Sequence, residues 1–492
     1  MLKIVKADKD SYITDKVIRS EPKTTSNVGA AGTLDLFKLY GLTNVNSKEL
    51  SRLLVHFDLD DIKEAYLQGN LDINDSSFWC KMHLSDVYGG QTTPINFSIS
   101  VFPLSASFDE GIGKDVAQYS DYDVCNWLTS SRGSTWYISG CGLPCDAQTS
   151  SGDYITSSIN LITTEVIQNF KAGDEDLIVD VTSLVSATLS GEIPDRGFRL
   201  SFHNSAEDDS YTYFVKRFGS RQAYDESKRP KLIVGFDDSI TDDSQNLTFD
   251  SSCNLTLYNY SGGILSNIVS GSSLTQVSGD DCLVLKMITE ISGGHYDLLF
   301  SGSQFSYGQY PVTGTYQSSV TILTSDPIIS SKLLQSGSVI FTPVWCSSDL
   351  SLAYVTGSNL TVRPQMRTSS QPVKNYVVSV NGLKNEYTNN EQAFVRLTIF
   401  DQSNPLIKVT RVPVELSGIV VKDTYYQIRD SVTKEVIIPF DDVRNSTKVS
   451  SDSSGMFFKF DTSSLLSGRT YVIDTMISKR IYSNTSPEFR IQ

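Results

Sequence analysis

The chain has 492 residues, with 39% hydrophobic and 20% charged residues and a formal net charge of −15. That length allows two to four domains of about 100–200 residues each, and the composition excludes a disordered chain. The acidic balance excludes a general nucleic-acid binder, which needs a basic face. No run reaches about 18 apolar residues, so no membrane insertion is expected.

Short strand patterns dominate from the N-terminus onward. In TLDLFKLYG (33–41), Leu34, Leu36 and Leu39 point one way while Asp35 and Lys38 mark polar positions. SRLLVHFDL (51–59), INFSISVFPL (95–104), FRLSFHN (198–204) and KLIVGF (231–236) are further β-type runs bounded by turn residues. Two segments suit a helix: LDDIKEAYLQG (59–69), and DVTSLVSATLSG (180–191) with Val181, Leu184, Val185 and Leu189 on one face.

The acidic run DDSITDDSQ (237–245) follows a clean strand and reads as a domain boundary; RTSSQP (367–372) reads as a second. Between and beyond them, strands recur at roughly ten-residue spacing, the mark of a sandwich. In AFVRLTIFD (393–401), Phe394, Arg396 and Thr398 share one face and Val395, Leu397 and Ile399 the other. One wet face and one dry face is antiparallel sandwich patterning. The expected fold class is all-β, with serial antiparallel β-sandwiches: a jelly-roll-like domain over 1–236, then two immunoglobulin-like modules over 246–366 and 373–492.

The most basic passage is YTYFVKRFGSRQAYDESKRPKLIVGF (211–236). Alternation places Lys216 and Phe218 on one face and Val215 and Arg217 on the other. The passage reads as a domain-closing hairpin of two strands around a polar turn, with Arg221 and Arg229 as framework arginines. A second use is an acidic-sugar contact through Lys216, Arg217 and Arg221, with Tyr211 and Tyr213 as a stacking strip.

No phosphate loop, nucleophile elbow or paired-histidine zinc motif occurs, so no enzyme is expected. Cys125, Cys141 and Cys145 form a weak zinc candidate, because a second half-site is missing. The seven cysteines are an odd number and do not suggest a disulfide framework. FDLDD (57–61), FDEGIGKD (108–115) and YSDYD (119–123) could supply oxygens to calcium at a sandwich edge, with solvated turns as the alternative. No other cofactor is expected.

Six segments, in order, resemble the DNRLRE family, a β-sandwich module also classed as an alginate-type carbohydrate-binding module. They are YITDKVIRSEPKTTSNVG (12–29), TLDLFKLYG, SRLLVHFDL with Arg52, Phe57 and Asp58, and CNWLTSSRGSTWYISGCG (125–142) with Trp127, Trp136 and Gly140. LIVDVTSLVSATLSGEIPDRGFRL (177–200) and FGSRQAYDESKRPKLIVGF (218–236) complete the set. The resemblance implies a sandwich core in which Trp127 and Trp136 are framework residues. Arg52 is expected to pair Asp58 or a backbone carbonyl. Similar modules occur in bacteriophage virion proteins, and some bind polysaccharide. The expectation is a virion structural protein (neck, tail fibre, baseplate or decoration), made in the host cytoplasm without a signal peptide. Its partners would be itself and other virion proteins, with host surface polysaccharide as a further one; a bacterial adhesin is the alternative.

Overall fold

The computed structural model describes residues 1–41, 48–87, 89, 93, 95–147, 151–156, 163–270, 274–308, 310–364, 375–401 and 418–492, with backbone alone at 213 and 214. The chain is all-β, with several antiparallel sheets and a few short helices. It divides into two units: Lys3–Tyr66 with Phe78–Gly235, and Met1–Leu2 with Leu67–Ser77 and Phe236–Gln492. The boundary candidate at 367–372 lies outside the described residues.

The first unit is built on a ten-stranded sheet. Its main path runs Val166–Phe170, Phe97–Pro103, Phe198–Phe202, Lys48–Phe57, Leu2–Thr14, Lys231–Gly235, Trp79–Leu84 and Leu177–Asp180. The long strand Leu2–Thr14 carries a register shift between Ala7 and Lys9 where it pairs Lys48–Phe57, and such a bulge bends a strand. Leu53, Leu54, Val55, Ile99, Val101, Leu200, Phe202, Leu232 and Val234 are buried in its core.

The two closing strands do not form the expected hairpin. Tyr213–Gly219 pairs Thr33–Tyr40, whereas Lys231–Gly235 pairs Trp79–Leu84. The reason is visible in the register. Arg217 lies directly opposite Asp35 and binds it through two nitrogens at 2.7 and 2.9 Å. Opposite charges facing across a pair of strands favour that partner.

In the second unit, one seven-stranded sheet runs Ser252–Tyr258, Tyr310–Thr321, Gly294–Tyr307, Leu283–Ile291, Val339–Ser347 and Ala353–Thr356, with Leu360–Val362 also on Val339–Ser347. A parallel bridge between Thr248 and Arg363 brings its two ends together around Leu255, Leu285, Met287, Tyr316, Phe341 and Trp345.

The strands between 376 and 491 form two further sheets, with Arg480–Tyr482 paired on Thr470–Ile477. One is Tyr376–Asn381, Gln392–Asp401, Gly455–Asp461, Ser450–Asp452; the other is Glu386–Tyr387, Phe489–Ile491, Thr470–Ile477, Thr424–Asp430, Val436–Ile438. In chain order these are A-B-E-D and A′-G-F-C-C′, the immunoglobulin arrangement. Residues 252–362 follow the single-sheet order instead. Val395, Leu397 and Ile399 face the sandwich core, and Phe394 is 43% exposed.

The segments Asp60–Leu67 and Thr182–Leu189 are helical. A further helix, Pro327–Ser336, was not anticipated, although its signals are present in the sequence. Asp326 accepts the N–H groups of Ile328 and Ile329, Pro327 starts the first turn, and Gly337 ends the helix at φ 71°. The acidic run 237–245 is not a solvated linker. Asp242 accepts Ser244 N–H and Thr256 N–H, Asp243 accepts Asn254 N–H, and both residues are buried. The run also bonds Ser450 and Ser451 through Ile240 N–H and Asp242 N–H.

At the start of Thr470–Ile477, the buried Tyr471 hydroxyl accepts Leu466 N–H at 2.7 Å and donates to Leu466 O at 3.1 Å. This is the tyrosine corner of immunoglobulin-type sandwiches. Tyr471→Phe strands a backbone N–H, so it should destabilise the protein by about 1–3 kcal/mol in a urea titration. An unchanged midpoint would show that the corner contributes nothing.

Candidate functional site

The cations of the basic stretch are paired internally, with Lys216 buried and Arg217 and Arg221 partly exposed. Lys216 is fully buried, and its ammonium donates to Asp86 Oδ1 at 2.6 Å and to the carbonyls of Gly173 and Glu175 at 2.8 and 2.7 Å. The rings of Phe170 and Phe218 lie 5.2 and 5.0 Å from it. Arg217 is held by Asp35. Arg221 binds Glu110 through two nitrogens at 2.5 and 2.6 Å. Arg229 donates to Ala223 O and pairs Glu226. A sugar contact through Lys216, Arg217 and Arg221 would have to compete with these pairs, since each cation is bound to an internal carboxylate. Tyr211 is 71% exposed, and the Tyr213 side chain lies outside the described residues.

Arg52 pairs a backbone carbonyl, one of its two expected partners, and takes Glu207 rather than Asp58 as its carboxylate. Its guanidinium binds Glu207 at 3.2 and 2.8 Å, donates to Gly140 O at 2.6 Å and stacks on Trp127 at 5.5 Å. Asp58 lies beyond the strand end, exposed, and accepts Asp60 N–H at the start of the helix. Trp136 is buried and donates its indole N–H to Asn126 O at 2.8 Å. Gly140 is required here: it sits at φ 80°, and a Cβ would lie 2.5 Å from the Trp127 ring.

Cys125 and Cys141 are fully buried, and burial pushes both thiols up to about 12. All seven cysteines are free. Among the described residues no three His, Cys, Asp or Glu side chains converge to hold a metal. The carboxylates weighed for calcium cap turns: Asp115 accepts Ala117 and Gln118 N–H, and Asp121 accepts Asp123 N–H. No helix among the described residues is long and apolar enough to cross a membrane.

Two titrating groups stand out in the first unit. Asp10 is 1% exposed, and burial, with the neighbouring Glu110 carboxylate, pushes it up to about 7 despite a hydrogen bond from Arg221 N–H. His56 is pushed up to about 9: burial opposes its charge, but Asp195 and Asp8 on either side prevail.

The second unit holds two clefts. One, about 730 Å³, is lined by serines with Asp349, whose Oδ1 already accepts Ser347 and Ser351 hydroxyls. The other, about 550 Å³, has Leu71, Phe236, Phe305 and Tyr307 as apolar walls and Asp72, Asp75 and Asp237 as its charged lining. Phe305 and Tyr307 meet edge to face at 5.1 Å. This acidic aromatic cleft was missed in the sequence, because its wall segments are more than 60 residues apart.

No family model matches the chain, and no curated protein matches it. Among solved structures, a "Biofilm associated protein - BSP domain" is similar at 10% identity and a TM-score of 0.15, covering 97% of this chain and 68% of that one.

The titrations give a pH signature with a definite sign. A carboxyl raised in the folded state keeps a proton the unfolded chain has lost, so Asp10 erodes stability as pH rises from about 4 to 7. Asp10→Asn should stabilise the protein by on the order of 2–4 kcal/mol at pH 8, with no gain near pH 4. His56 acts oppositely. Its contribution is complete below about 6.5 and is lost as pH rises through about 9. Chemical denaturation across pH checks both; a gain from Asp10→Asn that is equal at pH 4 and 8 would contradict the assignment.

Proposed function

We propose that this chain is a non-catalytic structural component of a bacteriophage particle, built of β-sandwich modules that assemble with copies of itself and with virion neighbours. The observation that carries the structural reading is the fate of the basic stretch. Lys216, Arg217 and Arg221 each bind a carboxylate of the first unit and so serve to hold that unit together. The phage setting rests on the resemblance of residues 1–236 to the DNRLRE module.

Open strand edges suit such assembly. Strands Val436–Ile438 and Ala353–Thr356 end their sheets. An edge presents unpaired backbone groups to a neighbour. Exposed apolar residues such as Val432 and Val443 lie on loops beside Val436–Ile438. Scattered apolar exposure is ordinary on a monomer, so the assembly argument rests on the edges.

Mass spectrometry of purified particles tests the reading. The chain should be found at a fixed stoichiometry to the other particle proteins, and cryo-electron microscopy should place its sandwich modules at one symmetric position. Its absence from particles would overturn the proposal. Glycan binding by residues 1–236 that disappears on replacing Tyr211 alone would favour the adhesin reading.

A further inference from the structure

We infer that the acidic aromatic cleft of the second unit binds an organic cation, an alkylguanidinium or alkylammonium group such as an arginine or lysine side chain carries. This is independent of the virion reading.

The first ground is an unbalanced buried carboxylate. Asp72 is only 8% exposed and lines the cleft. Its Oδ1 accepts Asn74 N–H at 2.9 Å, while no described group bonds Oδ2. No Lys, Arg or His lines the cleft. The Oδ2 atom is not sealed from solvent, so a cation or donor entering the cleft can reach it.

The second ground is the rest of the lining. Asp75 gives Oδ1 to Ser77 N–H, and Asp237 gives Oδ1 to Ser239 N–H and hydroxyl. Each keeps its second oxygen without a bond among the described residues. Three carboxylates and three aromatic side chains thus line the cleft. Rings attract cations through their negative faces, and a planar guanidinium matches both ring and carboxylate. A compact metal ion fits less well, because these carboxylates do not come together as a metal cluster.

The third ground is access. Gly308 sits at φ 58°, and a Cβ there would lie 1.8 Å from Asp72 Oδ2. Glycine at this position keeps the free oxygen uncovered. Any side chain would land on it.

Isothermal titration calorimetry on the full chain at low salt tests the inference. The probes are agmatine, a blocked tripeptide with a central arginine, and calcium chloride. Agmatine or the peptide should bind at one site, and Asp72→Asn should weaken binding at least tenfold while leaving the melting temperature close to that of the parent. Asp237→Asn, on a more accessible side chain, should weaken it severalfold and serves if Asp72→Asn folds poorly. Tighter binding of the peptide than of agmatine assigns the cation to a neighbouring protein, and the reverse assigns it to a free amine. No saturable binding of either at millimolar concentration would overturn the inference. So would binding insensitive to both substitutions, or calcium binding that the substitutions abolish while neither organic cation binds.

Discussion

A lysine ammonium without water must find three acceptors inside the protein, and the first unit is arranged around one that does. Lys216 has three N–H donors, and Asp86, Gly173 and Glu175 supply three oxygens. These acceptors come from the end of Trp79–Leu84 and from the turn between Val166–Phe170 and Leu177–Asp180. One side chain thus ties three distant segments together. The turn is itself held by Glu175: burial is the largest single effect and raises its carboxyl, but the N–H groups of Lys171, Ala172 and Gly173 that it accepts together outweigh it and keep it low, at about 2. Removing a partner from such a buried arrangement leaves an uncompensated charge, a far greater loss than the net worth of the pair.

The same solution recurs. Lys38 is fully buried and is bound by Asp209 and by the Ala206 and Asp209 carbonyls. Arg199 is 1% exposed, donates to Cys141 O and the Ser201 hydroxyl, and lies 4.3 Å from the Tyr154 ring. Its guanidinium is lowered by burial and by nearby Arg52, with Glu207 opposing. Charge inside this unit is structural, and it fixes which strands and loops meet. The second unit combines buried pairs of its own, such as Arg429 with Asp474 at 2.6 Å, with aromatic packing such as Tyr426 stacked on Phe458 at 4.2 Å.

The β character, the alternation of 393–401 and the helix at 182–189 were legible in the sequence because they are local patterns of period 2 or 3.6. Strand pairing was not. Arg217 meets Asp35 across 182 residues, and Arg221 meets Glu110 across 111. Nothing in a lone sequence marks which carboxylate a cation will find. Lys38 illustrates the cost: it alternates like an outward polar residue and is buried. The acidic run 237–245 follows directly on the division at Gly235/Phe236, but its packing was not legible. Its Asp and Ser residues look solvated, yet their side chains cap backbone groups inside a packed segment. The helix at 327–336 was legible in principle, from Asp-Pro at one end and Gly at the other.

The account stands on the burial of these cations, and lysine reactivity measures it most directly. Brief acetylation of the native protein, followed by peptide mass spectrometry, should leave Lys38 and Lys216 unmodified, whereas Lys479, whose side chain is 77% exposed, reacts readily. In urea all three should react alike. Native-state modification of Lys216 at the rate of Lys479 would contradict the account.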